Sequence, residues 1–235
     1  GEQNVLTSEE DLLFYSSDVF KEGLLAALVL IPQTTEQLSK ALELSNKENF
    51  CVIPRGGGLS YTDSYLAKKH NSIIIDMQKL NNIIQINQDD MFVVVEAGCT
   101  WEKLYNALKE KNLRTPYFGA LSGLYSTVGG AMSQNSIFFG SGEYGSAADQ
   151  CLGLEVVLAD GSIMRTGSWS TKFNPSPFFR SYGPDLTGIF LSDTGALGFK
   201  TKIVIKLINY PKVTNFLSFS YDNYKNIVSS MSSIS

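Results

Sequence analysis

The chain is poor in the residues that build metal sites and disulfide frameworks. It has 235 residues, a single histidine and three cysteines. Cys51, Cys99 and Cys151 lie far apart with no C-x-x-C, each in an apolar or strand-edge setting. That pattern predicts buried thiols and excludes a disulfide scaffold. The odd count fits a reducing compartment, so a cytoplasmic location is expected. His70, in Lys68-Lys69-His70-Asn71, reads as a solvated loop residue, and no metal site is expected. Long apolar runs are also missing. The strongest, Leu24 to Pro32, is too short to span a bilayer. Gly1-Glu2-Gln3-Asn4 carries neither the basic nor the apolar part of a signal peptide. Nor does either sign of charge dominate. The formal net charge of −4 argues against a nucleic-acid partner.

What the chain does have is glycine, 20 residues of it, in two concentrations. The first is Pro54-Arg55-Gly56-Gly57-Gly58-Leu59-Ser60, directly after the apolar run Phe50–Ile53. Three consecutive glycines fit neither a helix nor a strand. They suit a sharp loop whose successive N–H groups can form an anion-binding nest. Arg55 adds positive charge, and Ser60 and Thr62 add hydroxyls. On the heptad alone, a simple turn is an equal reading. Two common nucleotide motifs do not fit. Leu59-Ser60 stands where a P-loop needs Lys-Ser/Thr, and Tyr61 stands where G-x-G-x-x-G needs its last glycine. The second concentration, residues 115–150, has little periodicity. It holds Gly119, Gly123, Gly129, Gly130, Gly140, Gly142 and Gly145 among serines and aromatics. A loop of that length in a compact domain is usually functional.

Elsewhere the pattern is mixed α/β. Ala27–Ile31, Phe50–Ile53, Ser72–Asp76 and Met91–Glu96 read as strands. Thr34-x-x-Gln37 opens an amphipathic helix over 35–47, Thr100 caps another, and Thr127 can open a short one. Asp160-Gly161 between two apolar runs predicts a hairpin. Asp185–Phe190 reads as a short helix. Thr201–Leu207 reads as an antiparallel strand with one wet face, Phe216–Tyr221 as a further strand, and 224–231 as a helix.

Several of these stretches together resemble one family, the FAD-linked oxidases of the vanillyl-alcohol-oxidase (PCMH-type) superfamily. Pro54–Ser60 resembles its pyrophosphate loop. Val95-Glu96-Ala97-Gly98-Cys99-Thr100-Trp101 resembles the strand and glycine before its second lobe. Ser126-Thr127-Val128-Gly129-Gly130, with Tyr144-Gly145, is similar to its flavin-cradling loop. Leu154–Gly161 resembles its hairpin, and Gly183–Phe190 and Thr194–Gly198 its last cofactor-side elements. The order and spacing cover about residues 25–210 and look nearest to the glycolate oxidase and D-lactate dehydrogenase type.

The resemblance implies an α+β, PCMH-type fold of two α/β lobes with FAD between them. It implies lobe one at about 1–98, lobe two at about 99–210, and the opening of a truncated substrate cap at 211–235. The N–H groups of Gly56, Gly57, Gly58 and Leu59, with the Ser60 hydroxyl and Arg55, would hold the pyrophosphate. Gly119, Ser126, Thr127, Gly129, Gly130, Ser133 and Asn135 would line the ribityl chain and isoalloxazine. Gly145 would allow close packing, and Phe199 would meet the cofactor through its backbone. The berberine-bridge branch has a flavin-linked histidine where this chain has Gly58, so non-covalent FAD is expected. The implied reaction is hydride transfer to FAD from a CH–OH carbon of a small molecule such as a 2-hydroxy acid, with an electron-acceptor partner. The alternative is a flavin- or nucleotide-binding module without catalysis. No catalytic residue is assigned within the chain.

Overall fold

The computed structural model describes residues 2–173 and 175–234; Gly1, Asn174 and Ser235 lie outside the described residues. Residues 5–76 build the first sheet. β1 (Val5–Leu6) precedes α1 (Glu9–Tyr15), capped by Ser8, which accepts the Asp11 N–H. β2 (Leu28–Leu30) leads to α2 (Thr35–Lys47), whose N-cap Thr34 accepts the Gln37 N–H. β3 (Cys51–Arg55) and β4 (Ser72–Asp76) complete the strand order β1-β2-β4-β3. β2 and β3 run parallel to β4, and β1 pairs antiparallel with β2. β3 is an edge strand, which lets it contain Pro54 without losing a ladder hydrogen bond.

The second sheet follows. β5 (Ile83–Asn87) and β6 (Phe92–Glu96) lead to α3 (Trp101–Lys109), capped by Thr100, and to the short β7 (Leu113–Arg114). α4 (Val128–Gln134) and α5 (Ser141–Tyr144) come from the second glycine-rich region. β8 (Cys151–Val157) and β9 (Ile163–Arg165) form the hairpin at Asp160-Gly161, where Gly161 takes φ +83°. α6 (Leu186–Ile189) precedes β10 (Phe199–Lys206), and β11 (Ile208–Asn209) pairs with β7. α7 (Tyr224–Ile234) ends the described chain. The sheet order is β5-β6-β10-β8-β9, all antiparallel. α2 joins the two layers. Its buried Leu38 and Leu42 share one cluster with Ile73 and Ile75 of β4 and with Val157 and Phe199 of the second sheet. The main core lies beneath the second sheet, where Trp101, Leu104 and Leu108 of α3 and Met132 of α4 meet Val93, Leu154 and Ile203.

Three expectations are corrected. β5 and β6 pair into the second sheet, so the division between sheets falls between Asp76 and Ile83 and not near residue 98. Their partner β10 lies over a hundred residues later, beyond the reach of local pattern. β10 has no wet face; it is the central strand, and only Lys202 and Lys206 are part-exposed. The stretch 216–221 forms no strand. Phe216, Leu217 and Phe219 are exposed, and no neighbouring strand pairs with them. Among the described residues, no helix is long and apolar enough to cross a membrane.

Candidate cofactor site

A cleft of about 380 Å³ opens where the two layers meet, within the range of small-molecule sites. The loop after β3 forms one side. Segments 126–138 and 194–200 form the others, and Trp101, Tyr117, Gly119 and Ala120 close the far end. Every sequence-predicted site residue lines this cleft except Asn135 and Gly145. Asn135 ends α4 in the left-handed region at φ 46°, and its Oδ1 accepts the Ala148 N–H at 3.1 Å. Gly145, at φ +83°, leaves space for Asp149, whose Oδ2 a methyl group would approach to 2.5 Å. Both residues shape the wall from outside.

The glycine loop is packed against the opposite lobe. A methyl on Gly57 would lie 1.8 Å from Tyr125 O, and one on Gly56 would lie 2.5 Å from Thr127 Oγ1. Glycine is therefore required here by protein–protein contact as well as by any ligand. Among the described residues, the N–H groups of residues 56–60 donate no hydrogen bond within the protein. In a half-buried loop such donors are costly to leave unmatched, and their concentration is an anion-binding arrangement. Arg55 is buried. Its Nη1 donates to Tyr15 O at 3.1 Å, and its guanidinium carbon lies 4.8 and 4.9 Å from the Tyr15 and Tyr65 ring centres. Tyr15 Oη in turn donates to Asp76 Oδ2 at 2.5 Å. Burial, then the hydrogen bond to Asp76, raise the Tyr15 phenol far above its ordinary value.

The 126–136 wall differs. Thr127 caps α4, accepting the Gly130 N–H at 3.2 Å on Oγ1 and the Ala131 N–H at 3.1 Å on its carbonyl. The N–H groups of Val128 and Gly129 bond to the carbonyls of Cys99 and Ala97. Gly129 is buried against Ala97, which a methyl would approach to 2.7 Å. What this wall offers is a flat surface of small residues. Ser60, Thr62, Ser64 and Gln134 join loop and helix across the cleft. Gln134 Nε2 donates to Ser64 Oγ at 2.8 Å, and the Ser60 and Thr62 hydroxyls lie 2.8 Å apart.

The sequence reading missed several lining residues. Lys200 and Asp193 form a fully buried ion pair at 2.7 Å, with Asp193 also accepting the Gly195 N–H at 2.9 Å. Burial lowers the Lys200 pKa, and Asp193 opposes that shift. A methyl on Gly195 would reach Pro54 Cγ at 2.4 Å, so this turn packs on the base of the glycine loop. Trp101 and Tyr117 stack edge-on at 4.9 Å, and the buried Trp101 Nε1 has no hydrogen-bond partner among the described residues. Tyr65, Gln134 and Lys200 sit in segments whose local pattern carries no site signal. Trp101 and the Gly195–Gly198 turn carried one through the motifs around them.

An N–H nest at one side, a flat small-residue wall opposite and two α/β layers around them define a two-lobed module for an extended phosphorylated cofactor. The fold is the PCMH-type FAD-binding fold. A family model described as FAD binding domain matches residues 26–167, more than half the chain, and the chain belongs to that family. It is 28% identical over 209 residues to the mitochondrial D-lactate dehydrogenase [cytochrome] 1 of Saccharomyces cerevisiae, covering 88% of this chain and 34% of that one. It is 28% identical over 224 residues to glycolate oxidase subunit GlcD of Bacillus subtilis, covering 95% and 46%. The chain thus spans a third to a half of these curated relatives. A solved structure of p-cresol methylhydroxylase with substrate bound superposes with a TM-score of 0.78 at 26% identity, covering 91% of this chain and 42% of that one. One of alkyldihydroxyacetonephosphate synthase superposes at 0.75 and 18% identity, covering 90% and 39%.

Proposed function

We propose that the chain is the FAD-binding part of a flavin-dependent oxidoreductase that oxidises a CH–OH group, with a 2-hydroxy acid as substrate class. The observation that carries this reading is the row of N–H groups at residues 56–60, without internal acceptors, on the wall of the cleft. These donors and the Ser60 hydroxyl would hold the FAD diphosphate. The surface at Gly119, Ser126, Thr127, Gly129, Gly130 and Ser133 would lie along the flavin side, with the backbone at Phe199. When bound, FAD supplies the hydride acceptor. The chain's own contribution is to bind, orient and shield it. Gly58 offers no side chain for a covalent link at that position, and in this reading FAD is held by contacts.

The names of the two curated relatives support the hydroxy-acid class, and the yeast relative's bracketed cytochrome supports a separate electron acceptor as partner. Residues 1–210 form the FAD module in this reading, and the segment from 211 opens towards a substrate-covering part. Catalytic groups would then come from outside residues 1–210. The three free thiols favour a reducing compartment, and the cytoplasm is the proposed one. Burial pushes Cys99 up to about 11 and Cys151 up to about 12, so both stay protonated and unreactive near neutrality.

The test is an absorbance spectrum after mixing the protein with FAD and removing free cofactor. Retained flavin bands that leave the polypeptide on denaturation and bleach with a 2-hydroxy acid are expected. Absence of flavin bands, with no thermal shift on adding FAD, overturns the reading. Bands that no donor bleaches favour the alternative, a flavin-binding module without catalysis of its own.

A further inference from the structure

We propose that Arg55 and Tyr65, which also reach the cleft lining, are positioning residues that hold the glycine loop in its diphosphate-binding shape through their contacts with Gly58 and Ser60; this rests on reading that loop as the FAD diphosphate site. Gly58 adopts φ +68°, in the left-handed region. A methyl there would meet Arg55 Nη2 at 2.7 Å and Nε at 3.0 Å, so the guanidinium lies directly against the Gly58 Cα. Tyr65 Oη lies 2.8 Å from Gly58 O and 3.0 Å from Ser60 O, and its one proton is shared between them. Two loop carbonyls are thus directed to Tyr65, while the N–H groups of residues 56–60 have no acceptor inside the protein.

The brace is itself fixed. The guanidinium is surrounded by three rings, with centres 4.8 Å away for Tyr15, 4.9 Å for Tyr65 and 5.4 Å for Phe14. Its Nη1 donates to Tyr15 O. Asp76, the register partner of Arg55 on β4, is occupied by Tyr15 Oη and the Gln78 N–H, and no carboxylate forms an ion pair with Arg55 among the described residues. Shape and stacking set the requirement. A lysine keeps the charge and loses both the plane that rests on the rings and the fork that reaches Tyr15 O.

The experiment compares wild type, Y65F, R55K and R55M by flavin-fluorescence titration with FAD and with riboflavin, which has the same ring system and no diphosphate, alongside the melting temperature of each protein. Y65F is expected to weaken FAD binding about fivefold, the scale of one neutral hydrogen bond, with riboflavin affinity unchanged and a melting temperature lowered by about 2–4 °C. R55K is expected to lose FAD affinity as fully as R55M. Rescue of FAD binding by R55K would show a direct charge contact and overturn the proposal. Wild-type FAD affinity in Y65F, or equal losses for FAD and riboflavin, would also overturn it. Wild type that binds neither compound would instead overturn the cofactor assignment itself. Y65F keeps the comparison decisive if the Arg55 variants do not fold.

Discussion

The two glycine-rich walls of the cleft have similar composition and opposite hydrogen-bonding states. In the loop after β3, the N–H groups of residues 56–60 have no internal acceptor. In the 127–131 segment, the N–H groups of Val128, Gly129, Gly130 and Ala131 are all engaged, with Cys99 O, Ala97 O, Thr127 Oγ1 and Thr127 O. Glycine content alone therefore does not make an anion site. The first wall can bind charge, and the second presents a surface that a flat group can approach. The turn at 193–197 resembles the second wall, because the Asp193 carboxylate takes the N–H groups of Gly195 and Leu197.

Substitutions can break this comparison at its sharpest point. G57A puts a methyl 1.8 Å from Tyr125 O, in backbone that cannot swing aside. It is expected to cost roughly 2 kcal/mol or more and to weaken FAD binding about a hundredfold. G130A meets only Thr127 Oγ1 at 3.1 Å and sits inside α4. Helix propensity there favours alanine by up to about 1 kcal/mol, so G130A is expected to hold stability, while its methyl, open to the cleft, weakens FAD binding by crowding the flavin side. Urea unfolding and FAD titration of the pair measure both quantities. A stability loss in G130A as large as that in G57A would show that the two walls are packed alike.

The Asp193 turn is the next lever. D193N leaves Lys200 buried with no counter-charge, a loss of about 3 kcal/mol by urea unfolding. A loss under about 1 kcal/mol would mean that Lys200 reaches water and that the third side of the cleft is loosely held.

A smaller effect, away from the cleft, serves as the reference. Glu155 is buried on β8; its Oε1 accepts from Lys202 Nζ at 2.6 Å and its Oε2 from Arg165 Nη2 at 2.9 Å. Burial raises its pKa, and the hydrogen bonds and charges of Lys202 and Arg165 lower it by more, so the folded value is depressed. The stability it contributes is complete above the unfolded carboxyl value of about 4.3 and is lost as pH falls through the folded value. Melting temperature is therefore expected to drop below about pH 4, and E155Q should flatten that limb while leaving FAD affinity unchanged. An unaltered acid limb in E155Q would assign it to other carboxylates.

How much of this was legible in the sequence follows the range of the interactions. α2, the Thr100 and Thr127 caps, the Asp160-Gly161 hairpin and the glycine loop are local features, and each formed where local chemistry placed it. β10 departs from its local pattern because Lys200, Lys202 and Lys206 alternate like a solvent face. Their burial depends on Asp193, Glu155 and the neighbouring strands, a tertiary fact. Residues 216–221 carry strand-like residues with no strand to pair with. Asn135 and Gly145 share the site's composition, and only the geometry shows Asn135 ending α4 and Gly145 making room for Asp149. Tyr65 and Gln134 gave no signal because their roles depend on loops folded against each other.

The most direct test of the contrast between the walls is amide hydrogen exchange, read residue by residue by NMR, with and without saturating FAD. The account predicts fast exchange at residues 56–60 without FAD and marked protection with it. It predicts protection at residues 128–131 in both conditions. Loop amides that stay unprotected at saturating FAD, or protection that appears only at residues 128–131, would contradict it.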